Sequence, residues 1–170
     1  MAYNYLGLSN DIATRLNETH LTSSNFATAG GFYNAIKESV NSSIRHVNQA
    51  HFSWSFNHNS EEETLEAGIT RYPFPAEAKY IDFDTFRVKR DDALDLGEAR
   101  HLSQISYDEY IDKHIRQEDE TDTTLGSVPE HVFRAQNNEW GVVPFPDKAY
   151  TVEFEYFNFP VDLAIQSDVP

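Results

Sequence analysis

Asn48 to Tyr80 reads NQAHFSWSFNHNSEEETLEAGITRYPFPAEAKY, and this stretch decides the fold. A helical spacing runs into Phe52, Trp54 and Phe56, crosses the polar run "NHNSEEE", and resumes as alternation. In "TLEAGITRYPFP" the residues Leu65, Ala67 and Ile69 fall on one face, the period of a half-buried strand. Pro73 and Pro75 cannot donate ladder hydrogen bonds, so they end that strand or place it at an edge. A helix giving way to strands predicts an α+β fold. The three aromatics at the crossover are expected to plug the junction between helix and sheet.

Upstream, Ser9 is placed to cap a short helix through Leu16, with Asp11 in the favourable first turn. Ser24 or Asn25 then caps a longer helix. Its apolar positions are Phe26, Ala29, Tyr33, Ile36, Val40, Ile44 and Val47, stepping by three or four into one stripe. Gly30 and Gly31 lie within it. Each costs about 1 kcal/mol of helix propensity against alanine, which marks a kink or a close approach.

Downstream, "KYIDFDTFRVKR" shifts its apolar phase from Ile81 and Phe83 to Phe86 and Val88, predicting a bulge near Asp84 and Thr85 or two short strands. "KRDD" at Lys89–Asp92 reads as a loop. "ISYDEYIDKHI" predicts a short helix with Tyr107, Tyr110, Ile111 and His114 on one face. "RQEDETDTTLGSVPEH" has no periodicity and reads as an acidic loop. Two β segments, "HVFRAQNNEWGVVPFPD" and "AYTVEFEYFNFP", flank a turn at Pro146, Asp147 and Lys148. In the second, Tyr150, Val152, Phe154 and Tyr156 point one way, with Thr151, Glu153 and Glu155 on the other. The ending "PVDLAIQSDVP" predicts an extended arm with Leu163 and Ile165 unburied. The reading is therefore one α+β domain over residues 1–160, with a helical half, an antiparallel sheet with hairpins, and an extended arm over 161–170.

Composition narrows the function classes. The 170 residues carry 28 acidic and 13 basic side chains, a formal charge of −15. Such a surface repels phosphate and anionic membrane. There is no cysteine, so disulfides and thiolate sites are excluded. No window approaches a transmembrane helix, and the N-terminal residues show no basic region followed by an apolar run. His46 and His51 are five apart, which turns them away from each other on a helix. His51 and His58, with Glu61 to Glu63 following, are read as surface and turn residues rather than a zinc site. The acidic run Glu118, Asp119, Glu120, Asp122 lacks the central glycine and distal glutamate of a calcium-binding loop. Glu153 and Glu155 could mimic a glycosidase carboxylate pair, but adjacent carboxylates are the usual wet face of a strand. No nucleophile elbow or phosphate-binding glycine loop is present, so no catalytic residue, cofactor or metal is expected.

The order of these features resembles the adaptor (head-completion) proteins of tailed bacteriophages, including the tail-tubular-A-like and short-tail adaptor groups. The residues carrying the resemblance are Ile44, Asn48, Trp54, Ser55 and Phe56, then Thr64, Gly68, Tyr72 and Pro75. Phe145, Pro146, Asp147, Tyr150, Glu153, Phe154, Tyr156 and Pro160 complete it. The resemblance implies a virion protein that catalyses nothing. It implies a homo-oligomeric ring, typically of twelve copies, beneath the portal protein. The ring would join portal to tail nozzle or fibre, with DNA passing through unbound. Expected interface carriers are the polar face of the long helix (Lys37, Asn41, Arg45), the acidic loop (Glu118, Asp119, Glu120) and the arm (Leu163, Ile165). A carbohydrate-binding or fibre-docking module, stacking sugars on Trp54, Trp140 or tyrosines, is the alternative.

Overall fold

The computed structural model describes residues 3–51, 53–89, 100–120 and 122–170, and the chain divides into two compact units. One comprises residues 1–54 and 159–170, the other residues 55–158. Phe52 and most of the expected Lys89–Asp92 loop lie outside the described residues.

The helical unit is built on α1 (Tyr5–Arg15) and α2 (Phe32–Ala50). The expected Ser9 cap is corrected: Asn4 caps α1, its side chain accepting from Gly7 N at 2.8 Å, while Ser9 is fully buried. The first amides of a helix have no partner within it, and here the C-terminal segment supplies two. Tyr5 N donates to Asp168 O at 2.8 Å and Leu6 N to Gln166 O at 3.2 Å.

α2 starts later than the apolar stripe predicts. Gly31 sits at φ +59°, a left-handed conformation open to glycine but costly for other residues, and the helix begins only after it. Residues 22–29 instead form turns, with Asn25 Oδ1 accepting from Thr22 N and Phe26 packed inside. Tyr5, Leu21, Phe26, Val40 and Leu163 make the core of this unit. Leu163 is 7% exposed, so the expectation that it is unburied is also corrected. Ile165 is exposed as expected.

The second unit holds two sheets and α3 (Tyr107–Lys113). Its strands are β1 (His58–Leu65), β2 (Arg71–Pro73), β3 (Ala78–Val88), β4 (Arg100–His101), β5 (Ser103–Ile105), β6 (His131–Arg134), β7 (Glu139–Val143) and β8 (Tyr150–Asn158). One sheet runs β1-β8-β3-β4 and the other β2-β7-β6-β5, with all pairs antiparallel except β5 and β6. The run "NHNSEEE" is not a break but most of β1, whose eight residues pair with β8. The strand expected through Leu65, Ala67 and Ile69 instead turns at Gly68 (φ +80°), leaving Ala67 and Ile69 exposed. Pro73 does lie in an edge strand. The register of β3 against β8 shifts between Asp82 and Arg87, the predicted bulge.

Pro146 to Lys148 link β7 to β8, which belong to different sheets, so no hairpin forms there. The hairpin is β6–β7, turned by Asn137 and Asn138 at φ +59° and +58°. Asparagine tolerates that left-handed region. The alternation of β8 is as read: Tyr150, Val152, Phe154 and Tyr156 are buried. They share one core with Leu65, Phe86, Val132, Trp140 and Val142 from both sheets. On the far side of the second sheet α3 packs Tyr110 against Phe133, ring centroids 3.8 Å apart. Gly141 leaves room there: a Cβ would stand 2.3 Å from Phe133 Cζ.

Candidate docking surfaces

Lys37, Asn41 and Arg45 are four apart and share one face of α2, and their polar atoms hold segments of the same chain. Lys37 Nζ donates to Phe26 O at 2.6 Å and Ala29 O at 3.0 Å, and lies 4.8 Å from the Phe26 ring centre. Asn41 is 7% exposed. Its Oδ1 accepts from Leu163 N at 3.0 Å, while its Nδ2 donates to Leu163 O at 3.1 Å. One side-chain amide thus reads both backbone groups of one residue, as a neighbouring strand would. Arg45 grips Asp162 through Nε (2.8 Å) and Nη2 (2.7 Å), and Glu38 through Nη1 (3.0 Å). That fork holds the Asp162 carboxyl below the usual aspartate range. Asp168 closes the segment, its carboxylate accepting from Ala164 N and Ile165 N.

The acidic loop is partly structured. Residues Ile115–Asp119 form a 3₁₀ turn. Glu118 takes a hydrogen bond from Arg71 Nε at 2.5 Å and a short one from Tyr110 Oη, so it ties β2 to α3. Burial first, and then the Glu118 carboxylate, push the Tyr110 hydroxyl pKa up. Asp119 and Glu120 are both exposed.

The aromatics at the crossover depart from expectation. Phe56 is 64% exposed, and Trp54 is also outside the cores, its Nε1 donating to Val47 O at 3.2 Å beside His51. Neither belongs to a core of the described residues; Ser55–Asn57 form a 3₁₀ turn that leads into the edge strand β1. Trp140 is 0% exposed, between Tyr72, Phe86 and Phe154. Among the catalytic candidates, Glu153 is held by Arg87 and Glu155 by His58.

Sequence reasoning missed the exposed apolar residues Phe159, Val161 and Val169, which accompany Ile165 in the C-terminal segment. They stand, like the buried Leu163, at odd positions of a segment whose even positions include Asp162, Gln166 and Asp168.

A family model described as SU10 adaptor protein matches residues 3–170, and the chain belongs to that family of phage head–tail adaptors. No curated protein matches it.

Proposed function

Proceeding from that membership, we propose that the protein forms a ring that connects the portal to the tail or nozzle around the path of the DNA. The match across nearly the whole chain carries this reading. The adaptor acts as a structural component of the virion, associating with portal and tail, and performs no chemistry. Charge supports the conduit. The chain carries −15, and Arg45, Arg71, Arg87, Lys89 and Lys113 each lie against a carboxylate. Cations neutralised in place offer phosphate little grip, so DNA slides rather than sticks.

Within the ring, the C-terminal segment is the docking element, presenting Ile165 with Val161 and Val169 while Leu163 anchors it to its own chain. The α2 stripe of Lys37, Asn41 and Arg45 serves assembly by fixing that segment, and Asp119 and Glu120 supply an acidic contact alongside Glu118. Of the two tryptophans of the sugar-stacking alternative, the fully buried Trp140 has no face to offer.

Mixing the purified chain with purified portal and recording native mass spectra tests the proposal. A complex with as many adaptor as portal copies is expected, and Ile165→Ser should weaken it without changing the circular dichroism of the adaptor. Free portal beside free adaptor at every ratio would reject the ring.

A further inference from the structure

β1 is the outermost strand of its sheet, with β8 on one side and no described strand on the other. It pairs with β8 in unbroken register from His58↔Phe157 to Leu65↔Tyr150, without proline or bulge. In an antiparallel ladder alternate residues turn both N–H and C=O away from the neighbour. Among the described residues no backbone group of β1 finds a partner in that direction. A long, straight, open edge is a template for an added strand.

The side chains along the edge state which strand it accepts. On the outward face the charges are matched within the sheet: His58 Nε2 lies 2.8 Å from Glu155 Oε2, and Lys89 Nζ lies 2.6 Å from Glu62 Oε1. On the core-side face, Glu61 stands across from Phe154 and Glu63 across from Val152. Both glutamates are half-buried, and no cation among the described residues pairs with either. Burial first, and then the charge of Glu61, raise the Glu63 pKa above the ordinary range. An added strand would cover both carboxylates further, and covering an uncompensated charge is costly. The incoming strand must therefore bring cations. A second copy of β1 would instead set glutamate against glutamate, which is repulsive, and DNA would bring phosphate to an acidic edge.

We propose that the free edge of β1 docks an extended segment of a partner protein carrying Lys or Arg at every second position, aligned with Glu61 and Glu63. This surface goes beyond the connector reading, because it rests on the geometry of one sheet and needs neither ring nor portal.

The probe is an acetylated, amidated (Lys-Thr)4 peptide, titrated into the full chain at fixed ionic strength. Amide hydrogen exchange is followed in parallel. The peptide should slow exchange at alternate β1 amides. Methylating its alternate backbone nitrogens, or making the Glu61→Gln/Glu63→Gln variant, should each weaken binding by about tenfold or more, the scale of one lost hydrogen bond to a charged group or one lost ion pair. Absence of binding, equal binding of the methylated peptide, or binding without protection of β1 would overturn the proposal. The last two outcomes would identify diffuse charge attraction. The methylation and exchange arms use the unaltered chain, so they decide the matter even if the variant fails to fold.

Discussion

The sheet unit and the helical unit are held by different means. In the sheet unit Phe86, Trp140 and Phe154 meet with ring centroids 4.5, 4.9 and 5.4 Å apart, and each is at most 1% exposed. That core is aliphatic and aromatic, and among the described residues no charged side chain is buried. In the helical unit a smaller core is completed by a residue from the far end of the sequence, Leu163. Asn41 and Arg45 hold the backbone and side chain of that segment, and its carbonyls cap α1. Apolar burial depends on no ionisation, whereas a clamp of amides and carboxylates is directional and can be released. An adaptor benefits from both: a unit that keeps its shape, and a segment whose seat can be altered one bond at a time.

Trp140→Ala attacks the first mode and should have the largest effect. Removing a fully buried indole costs about 3–5 kcal/mol. The loss should show as a lower urea midpoint for amides of β6, β7 and β8, while Tyr5 and Leu163 amides keep their protection. Equal loss in both sets would mean that the two modes are not separable.

Asn41→Ala attacks the second. It strands the N–H and C=O of Leu163 at a buried site, an expected cost of about 1–3 kcal/mol. Faster exchange at Tyr5, Leu6 and Leu163, with the β8 amides unchanged, is the expected pattern. Unaltered exchange at Leu163 would show that the leucine side chain alone seats the segment.

The smallest effect is acid sensitivity. Arg45 lowers the Asp162 pKa, and the amides of Ile165 and Ala164 lower that of Asp168. A carboxyl with a depressed folded pKa stabilises above its unfolded value, and that stabilisation is lost as pH falls through the folded one. The segment should therefore loosen below the ordinary aspartate value of about 3.9, ahead of the aromatic core, as followed by the Leu163 amide signal between pH 6 and 2. A signal that persists until the core unfolds would contradict the difference between the units.

What the sequence disclosed follows the same division. The alternation in Tyr150 to Tyr156 and the phase shift at Asp84 and Thr85 are local consequences of a strand with one buried face, so they could be read directly. The start of α2 was hidden because the stripe from Phe26 to Val47 is continuous, and only the backbone of Gly31 interrupts it. β1 was hidden by three consecutive glutamates, which a strand accepts when it lies at an edge. The stripe Lys37, Asn41, Arg45 was legible as a contact face, but its partner was not. Leu163 lies 122 residues from Asn41, and no local pattern records so distant a pairing. Two family-resembling residues turned out to be turn staples. Tyr150 Oη donates to Asp147 Oδ1 at 2.7 Å, and Tyr72 Oη, its pKa pushed up to about 12 by burial, donates to Ile69 O and accepts from Glu66 N.

The connector reading is tested most directly by counting molecules. Quantitative mass spectrometry of gradient-purified, DNA-filled particles should find this chain at a fixed stoichiometry equal to that of the portal protein. Its absence from such particles, or a copy number that follows the fibres instead, would contradict the account.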